Sequence, residues 1–148
     1  MNLNGYEFKT SKSFLDYEFY SEGPKGKIKK VVSFTPRTAN GVTYFNLGFG
    51  DWNESKKKID DRAISNNQDR DRILATVAVM VLEFTEHFPD VWVYARGSTP
   101  GRTRLYQMGI AVHWNHIEPL LHVYGYTNGE WQSFHKNVIY EAFMILRK

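Results

Sequence analysis

Cysteine is absent from this 148-residue chain. With it go disulfides, thiolate metal sites and cysteine nucleophiles, which makes the cytoplasm the expected compartment. Long apolar runs are missing too. No stretch approaches the roughly 20 residues that a bilayer-spanning helix needs, and Met1 to Glu7 lacks the basic patch and apolar segment of an export signal. Membrane insertion and secretion are therefore not expected. Proline is sparse, at 5 residues, and there are no internal repeats or low-complexity tracts to suggest a solenoid or a disordered tail. Neither sign of charge dominates: 19 lysines and arginines against 16 carboxylates leave +3, with a pI near 9.0. That mild excess favours approach to a polyanion without requiring one. Aromatic and apolar residues are plentiful, at 16% and 42%, so a single domain can bury a core without metal or disulfide staples.

The first half reads as strands followed by a helix. Residues 14–20 are aromatic-rich, and residues 21–26 supply turn chemistry. In residues 27–35, Ile28, Val32 and Phe34 share a face that Lys30 interrupts, with Lys27 and Lys29 opposite. Pro36 to Gly41 is expected to turn the chain, and residues 42–49 then set Phe45, Leu47 and Phe49 against Tyr44 and Asn46. Three antiparallel strands result. Gly50 to Asn53 should end that sheet, with Asp51 and Trp52 as a turn with an anchoring aromatic or as a carboxylate and stacking surface in one site. Residues 54–68 read as an exposed connection in which Lys56, Lys57 and Lys58 are offset by Asp60 and Asp61; the alternative is a lysine cluster tracking a phosphate backbone. Asn66 or Asn67 is expected to cap a helix over residues 68–88, with Asp69 and Asp71 in its first turn, His87 in its last and Pro89 stopping it. Most of its circumference is apolar, which predicts a central helix covered by another element or a partner.

The chain turns on residues 91–105. Val91 to Ala95 carries no charge, the pattern of a buried central strand. Gly97 permits a sharp turn, Ser98 or Thr99 suits an N-cap, and Pro100 pre-sets the first helical position. A helix over residues 100–117 follows. Its free N–H groups and positive dipole end, flanked by Arg96, Arg102 and Arg104, favour an anion and a phosphate above all. The plainer reading is a helix cap with structural ion pairs. The loop is not a P-loop, since residues 97–102 lack the Gly-Lys-Ser/Thr ending. Nor is Ser98 in a Gly-x-Ser-x-Gly elbow.

Residues 120–126 return as a strand, Asn128-Gly129 marks a two-residue hairpin, residues 131–134 pair back, and residues 138–146 read as a last strand. The expected fold is α+β, a single domain spanning residues 1–148, with a mixed, mainly antiparallel sheet of about six strands packed with two helices. The run Gly97-Ser98-Thr99-Pro100-Gly101-Arg102-Thr103-Arg104-Leu105-Tyr106 is followed by Ile110, the strand at Val123-Tyr124-Gly125 and the closing Tyr140-Glu141-Ala142-Phe143. These residues resemble an uncharacterised family of small bacterial proteins of Bacteroidetes type. That resemblance implies a single α+β domain and, because some such families sit in toxin–antitoxin pairs, raises a toxin role as an expectation.

His113 and His116 share a helical face, with Glu118 and His122 nearby, but the spacing is not that of a His-Glu-x-x-His zinc site and no metal is expected. As imidazoles that titrate near neutrality they are candidate proton carriers. Two functions follow. In the first, Ser98, Thr99 and Gly101 receive a phosphate, Arg96, Arg102 and Arg104 neutralise it, and exposed Tyr106 or Trp114 stacks an RNA base. Its enzymatic form has His113 or His116 moving a proton in metal-free RNA cleavage, with no cofactor. In the second, the chain is a non-catalytic interaction protein or homodimer whose apolar surfaces and sheet edges bind a protein, and the arginines are structural.

Overall fold

The computed structural model of the chain describes residues 3–61 and 66–148. In chain order the elements are β1 (Lys9–Thr10), β2 (Asp16–Gly23), β3 (Gly26–Ala39), β4 (Val42–Asn53), β5 (Lys58–Asp60), α1 (Arg70–His87), β6 (Trp92–Ala95), α2 (Pro100–Val112), α3 (Trp114–Ile117), β7 (Leu121–Thr127), β8 (Glu130–Ser133) and β9 (Ala142–Arg147). Among the described residues the strands form one sheet in the order β1-β2-β3-β4-β6-β9-β7-β8. Every pairing is antiparallel except β4 with β6, which the α1 crossover makes parallel. The α+β class stands, with nine strands and three helices among the described residues in place of about six and two. Two of the additional strands, β1 and β5, have 2 and 3 residues, too few for a period-2 pattern to show.

Several boundaries moved for identifiable reasons. Proline at position 36 does not turn the chain, because β2 ends opposite Ser33 and leaves the far edge of β3 unpaired there, so the missing N–H costs no ladder bond. The turn falls instead at Asn40-Gly41, both with positive φ (52° and 78°). Asn128-Gly129 makes the expected hairpin in the same conformation, at 52° and 79°. Rather than ending at Phe49, β4 continues to Asn53, and β5 pairs with its last three residues inside what reads as an exposed connection. Residues 62–65 of that connection lie outside the described residues. Asn67 does not cap α1. Its buried side chain donates to Ser21 Oγ and the Gly26 carbonyl and accepts from Lys25 N–H, closing the β2–β3 turn, while Asp69 holds the cap position without making a side-chain cap bond. The predicted second helix divides at His113 into α2 and the one-turn α3.

The core lies on one face of the sheet. Phe84 of α1 stacks on Phe34 with centroids 3.9 Å apart and packs against Phe45 at 5.4 Å. Burying such a ring stabilises by roughly 2–3 kcal/mol. Thr76 and Thr85, fully buried in α1, return their hydroxyls to the carbonyls of Arg72 and Val81. Thr76 Oγ1 also accepts from Tyr6 N–H, and a Cβ at Gly5 would meet that oxygen at 2.8 Å, so the N-terminal segment lies directly on α1. Helix α2 packs across α1 near Leu74 and Gly109. Gln107 of α2 accepts from Tyr140 N–H and donates to the Val138 carbonyl, tying the last loop to the helix layer.

Candidate functional site

A cleft of about 1000 Å3 opens between the first turns of α1 and α2, above the sheet face that carries Lys30 and Phe49. The β6–α2 turn builds its upper wall. A Cβ on Gly97 would sit 2.5 Å from Arg102 Cβ and Thr103 N, so only glycine fits; its N–H donates to Thr103 Oγ1 at 2.9 Å. Thr99 is the N-cap: its hydroxyl accepts from Arg102 N–H at 3.2 Å, and Pro100 opens the helix. Ser98 is committed elsewhere, donating to the Asp61 carbonyl at 2.8 Å.

Of the three arginines singled out in the sequence, Arg102 lines the cleft with Thr99 and Gly101. Arg104 lies about 200° further round the helix and is exposed. Arg96, at the end of β6, is exposed as well, and neither lines the cleft. The opposite wall supplies cations that the sequence reading passed over, Arg70 and Arg72 in the first turn of α1. Arg72 lies over the Tyr6 ring at 3.9 Å, a cation–π contact that holds the guanidinium at the cleft. On the floor the buried Lys30 ammonium is ion-paired with Asp51. Lys30 was visible as the residue that breaks an apolar strand face; the two α1 arginines had no such signal, because basic residues on a helix read as a solvated surface.

Carboxylates moderate this positive field. Asp69 turns away from the helix start: Tyr6 Oη and Ser21 Oγ both donate to its Oδ2 at 2.5 Å, and its buried Oδ1 has no partner among the described residues. Burial, followed by the Asp69 hydrogen bond, pushes the Tyr6 phenol up. Asp71 and Glu22 also line the cleft. Asp51 and Trp52 point to opposite faces of β4, so they do not form one site: Asp51 faces Lys30, and Trp52 lies beneath the Lys29 ammonium at 5.4 Å on the other face.

The remaining candidates sit apart. His113 caps the far end of α2, about 16 Å along the axis from Arg102, and His116 lies beyond it in α3. Burial first, then the neighbouring His116, push the His113 imidazole below its ordinary value, against an opposing pull from Asp71. Trp114 is packed on Phe134 with centroids 5.0 Å apart, and Tyr106 is half-buried, its phenol pushed up to about 12 by burial. Tyr106 reaches the cleft wall, but neither ring is the exposed surface that the sequence suggested. Among the described residues no cluster of three or more histidines and carboxylates is placed to hold a metal, and no helix is long and apolar enough to cross a membrane.

A small α+β domain with an arginine-bearing cleft between two helix starts is the class of protein that these features define. The chain belongs to a family of unknown function, DUF6934, whose profile matches residues 2–148. No curated protein and no solved structure matches it.

Proposed function

We propose that this protein binds a phosphate-bearing ligand, RNA in the first instance, in the cleft between α1 and α2. The observation that carries the reading is the convergence on one cleft of two helix N-termini and the cations Arg70, Arg72, Arg102 and Lys30. Backbone N–H groups of the Thr99–Gly101 turn meet a phosphate at the positive end of the α2 dipole, and Arg102 supplies a bidentate, permanently charged partner. Arg72, braced on Tyr6, meets an adjoining phosphate. Lys30 is held by Asp51 and sets the potential of the floor instead of contacting the ligand.

Cleavage is the enzymatic form of the same reading, and a toxin role would follow from it. His113, held neutral near pH 7, is then the proton acceptor. A strand seated on Arg102 must run the length of α2 to bring a ribose hydroxyl to that imidazole.

The test is a titration of labelled single-stranded RNA against wild type and Arg72→Ala/Arg102→Ala at two salt concentrations, with melting curves and product gels. Loss of salt-sensitive binding in a variant that still melts cooperatively is the expected result. Unchanged binding in that variant removes the cleft from the interaction.

A further inference from the structure

The helices of the described residues pack on one face of the sheet; on the other, β5 lies close over Gly50 beside the buried Val31, and the part carried by β4, β6, β9, β7 and β8 has no helix over it. Across β4, β6, β7 and β8 it carries a continuous stripe of rings, in which Tyr44 meets Tyr94 at 5.8 Å, Tyr94 meets Trp131 at 6.4 Å and Trp131 meets Tyr126 at 5.1 Å. Trp92 and Tyr124 form a second pair beside it, at 5.8 Å. Strand register makes this one surface: Tyr44 lies beside Trp92 on β6, Tyr94 and Tyr124 both flank Met144 on β9, and Tyr126 lies opposite Trp131. Trp131 is 45% exposed.

Charge on this face is segregated. Its strand carboxylates are confined to β2, where Glu18 and Glu22 are answered by Lys29 and Lys27 of β3 and Asp16 accepts from the Ser33 hydroxyl. From β3 to β8 no strand position of the face is acidic among the described residues. Arg37, exposed and directly opposite Tyr44, forms no ion pair among the described residues. Rings with polar tips, an open guanidinium at one end and no carboxylate along the stripe match a polyanion whose repeating units carry π-faces. A second copy packed stripe on stripe would bring to Arg37 rings and no carboxylate, because the carboxylates of this face lie on β2, outside the stripe.

We propose that this open face is a stacking platform for the unpaired bases of single-stranded RNA, with Arg37 taking a backbone phosphate. The choice of ligand rests on the reading of the cleft, but the surface and its residues are separate. Base stacking on aromatic side chains is tolerant of sequence, so the platform selects unpaired strands and not a motif.

The experiment compares an unstructured 20-nucleotide RNA with an abasic ribose-phosphate strand of equal length, titrated against wild type, Tyr94→Ala/Trp131→Ala, Tyr94→Phe/Trp131→Phe and Arg102→Ala. Tryptophan quenching, anisotropy and sedimentation are followed together. The platform predicts a loss of about tenfold or more for the base-bearing strand in the alanine double variant, recovery in the phenylalanine variant, and little change for the abasic strand. Arg102→Ala, with its platform intact, still shows quenching by the base-bearing strand. Equal losses for both strands, or none, overturn the platform; if Arg102→Ala alone then loses binding, the cleft reading survives. Absence of RNA binding by folded wild type overturns both. A concentration-dependent dimer that Tyr94→Ala/Trp131→Ala dissociates reassigns the face to self-association.

Discussion

Along the same strands, the covered and the open face of the sheet use different aromatics. Phe19, Phe34, Phe45, Phe49 and Phe143 all lie on the face that meets the helices. Tyr44, Tyr94, Tyr124 and Tyr126, with the tryptophans of the strands, lie on the other. Phenylalanine has no polar atom to satisfy, so burial against α1 costs it nothing in hydrogen bonding; the phenol and indole keep a polar tip that water or a ligand can meet. Period-2 alternation thus sorts the aromatic residues by chemistry. It yields a dry core on one side and a wettable surface on the other.

The sharpest test of that division is a pair of truncations. Phe84→Ala removes a fully buried ring stacked on Phe34 and is expected to cost about 3–5 kcal/mol in urea unfolding. Trp131→Ala, on the open face, is expected to cost about 1 kcal/mol or less, since its ring is 45% exposed. Comparable losses would mean that the open face is part of the core.

A second test targets the cation on the covered face. Lys30→Met leaves the Asp51 carboxylate, itself largely buried, without its partner and is expected to destabilise by about 3 kcal/mol or more. Lys30→Met/Asp51→Leu removes both charges, and most of that loss should return. A double variant no more stable than the single one would show that Lys30 is held chiefly by its other contacts.

Much of this division was legible in the sequence, because Phe45, Leu47 and Phe49 alternate with Tyr44 and Asn46, and residues 91–95 carry no charge. The Thr99 cap, the helix start at Pro100 and the Asn128-Gly129 hairpin were legible for the same reason: each is a local rule satisfied by adjacent residues. The cleft was legible only in part. Arg102 announced itself beside a helix start, but Arg70, Arg72 and Tyr6 reach the same space from elements far away in sequence, through a packing angle that no local pattern encodes. The open stripe was hidden differently. Its rings appeared strand by strand, and only the order β4-β6-β9-β7-β8, with a non-sequential neighbour in the middle, makes them one surface.

Alkaline pH offers a graded probe of the buried phenols. Burial pushes the Tyr106 phenol up from 10.0 to about 12, and those of Tyr6 and Tyr17 also rise. A phenol whose folded pKa exceeds its unfolded value keeps its proton longer in the native state, so its contribution is complete below pH 10 and falls as pH rises through the folded value. Unfolding free energy measured between pH 9 and 12 should decline from about pH 10 onward. Tyr106→Phe, which has nothing to ionise, should make that decline shallower. An unchanged slope would place the Tyr106 hydroxyl in water.

The smallest effect is expected at Tyr17, the strand tyrosine that breaks the sorting. It lies on the covered face, 1% exposed, edge-on to Phe34 at 5.7 Å, and its hydroxyl has no hydrogen-bond partner among the described residues. Burial pushes its phenol above the ordinary range, with the nearby Glu83 carboxylate adding to the rise. A buried hydroxyl without a partner costs about 1–3 kcal/mol of desolvation, while the ring around it contributes as any core aromatic does. Tyr17→Phe keeps the ring and deletes the cost, so it is expected to stabilise by up to about 1 kcal/mol, the remainder being offset by the small void that the oxygen leaves. The same substitution at Tyr94 removes a polar tip that solvent already reaches and should leave stability unchanged. A destabilised Tyr17→Phe would show that the hydroxyl is satisfied in solution, by a water bridging toward Glu83, and that the covered face is less dry than its phenylalanines suggest.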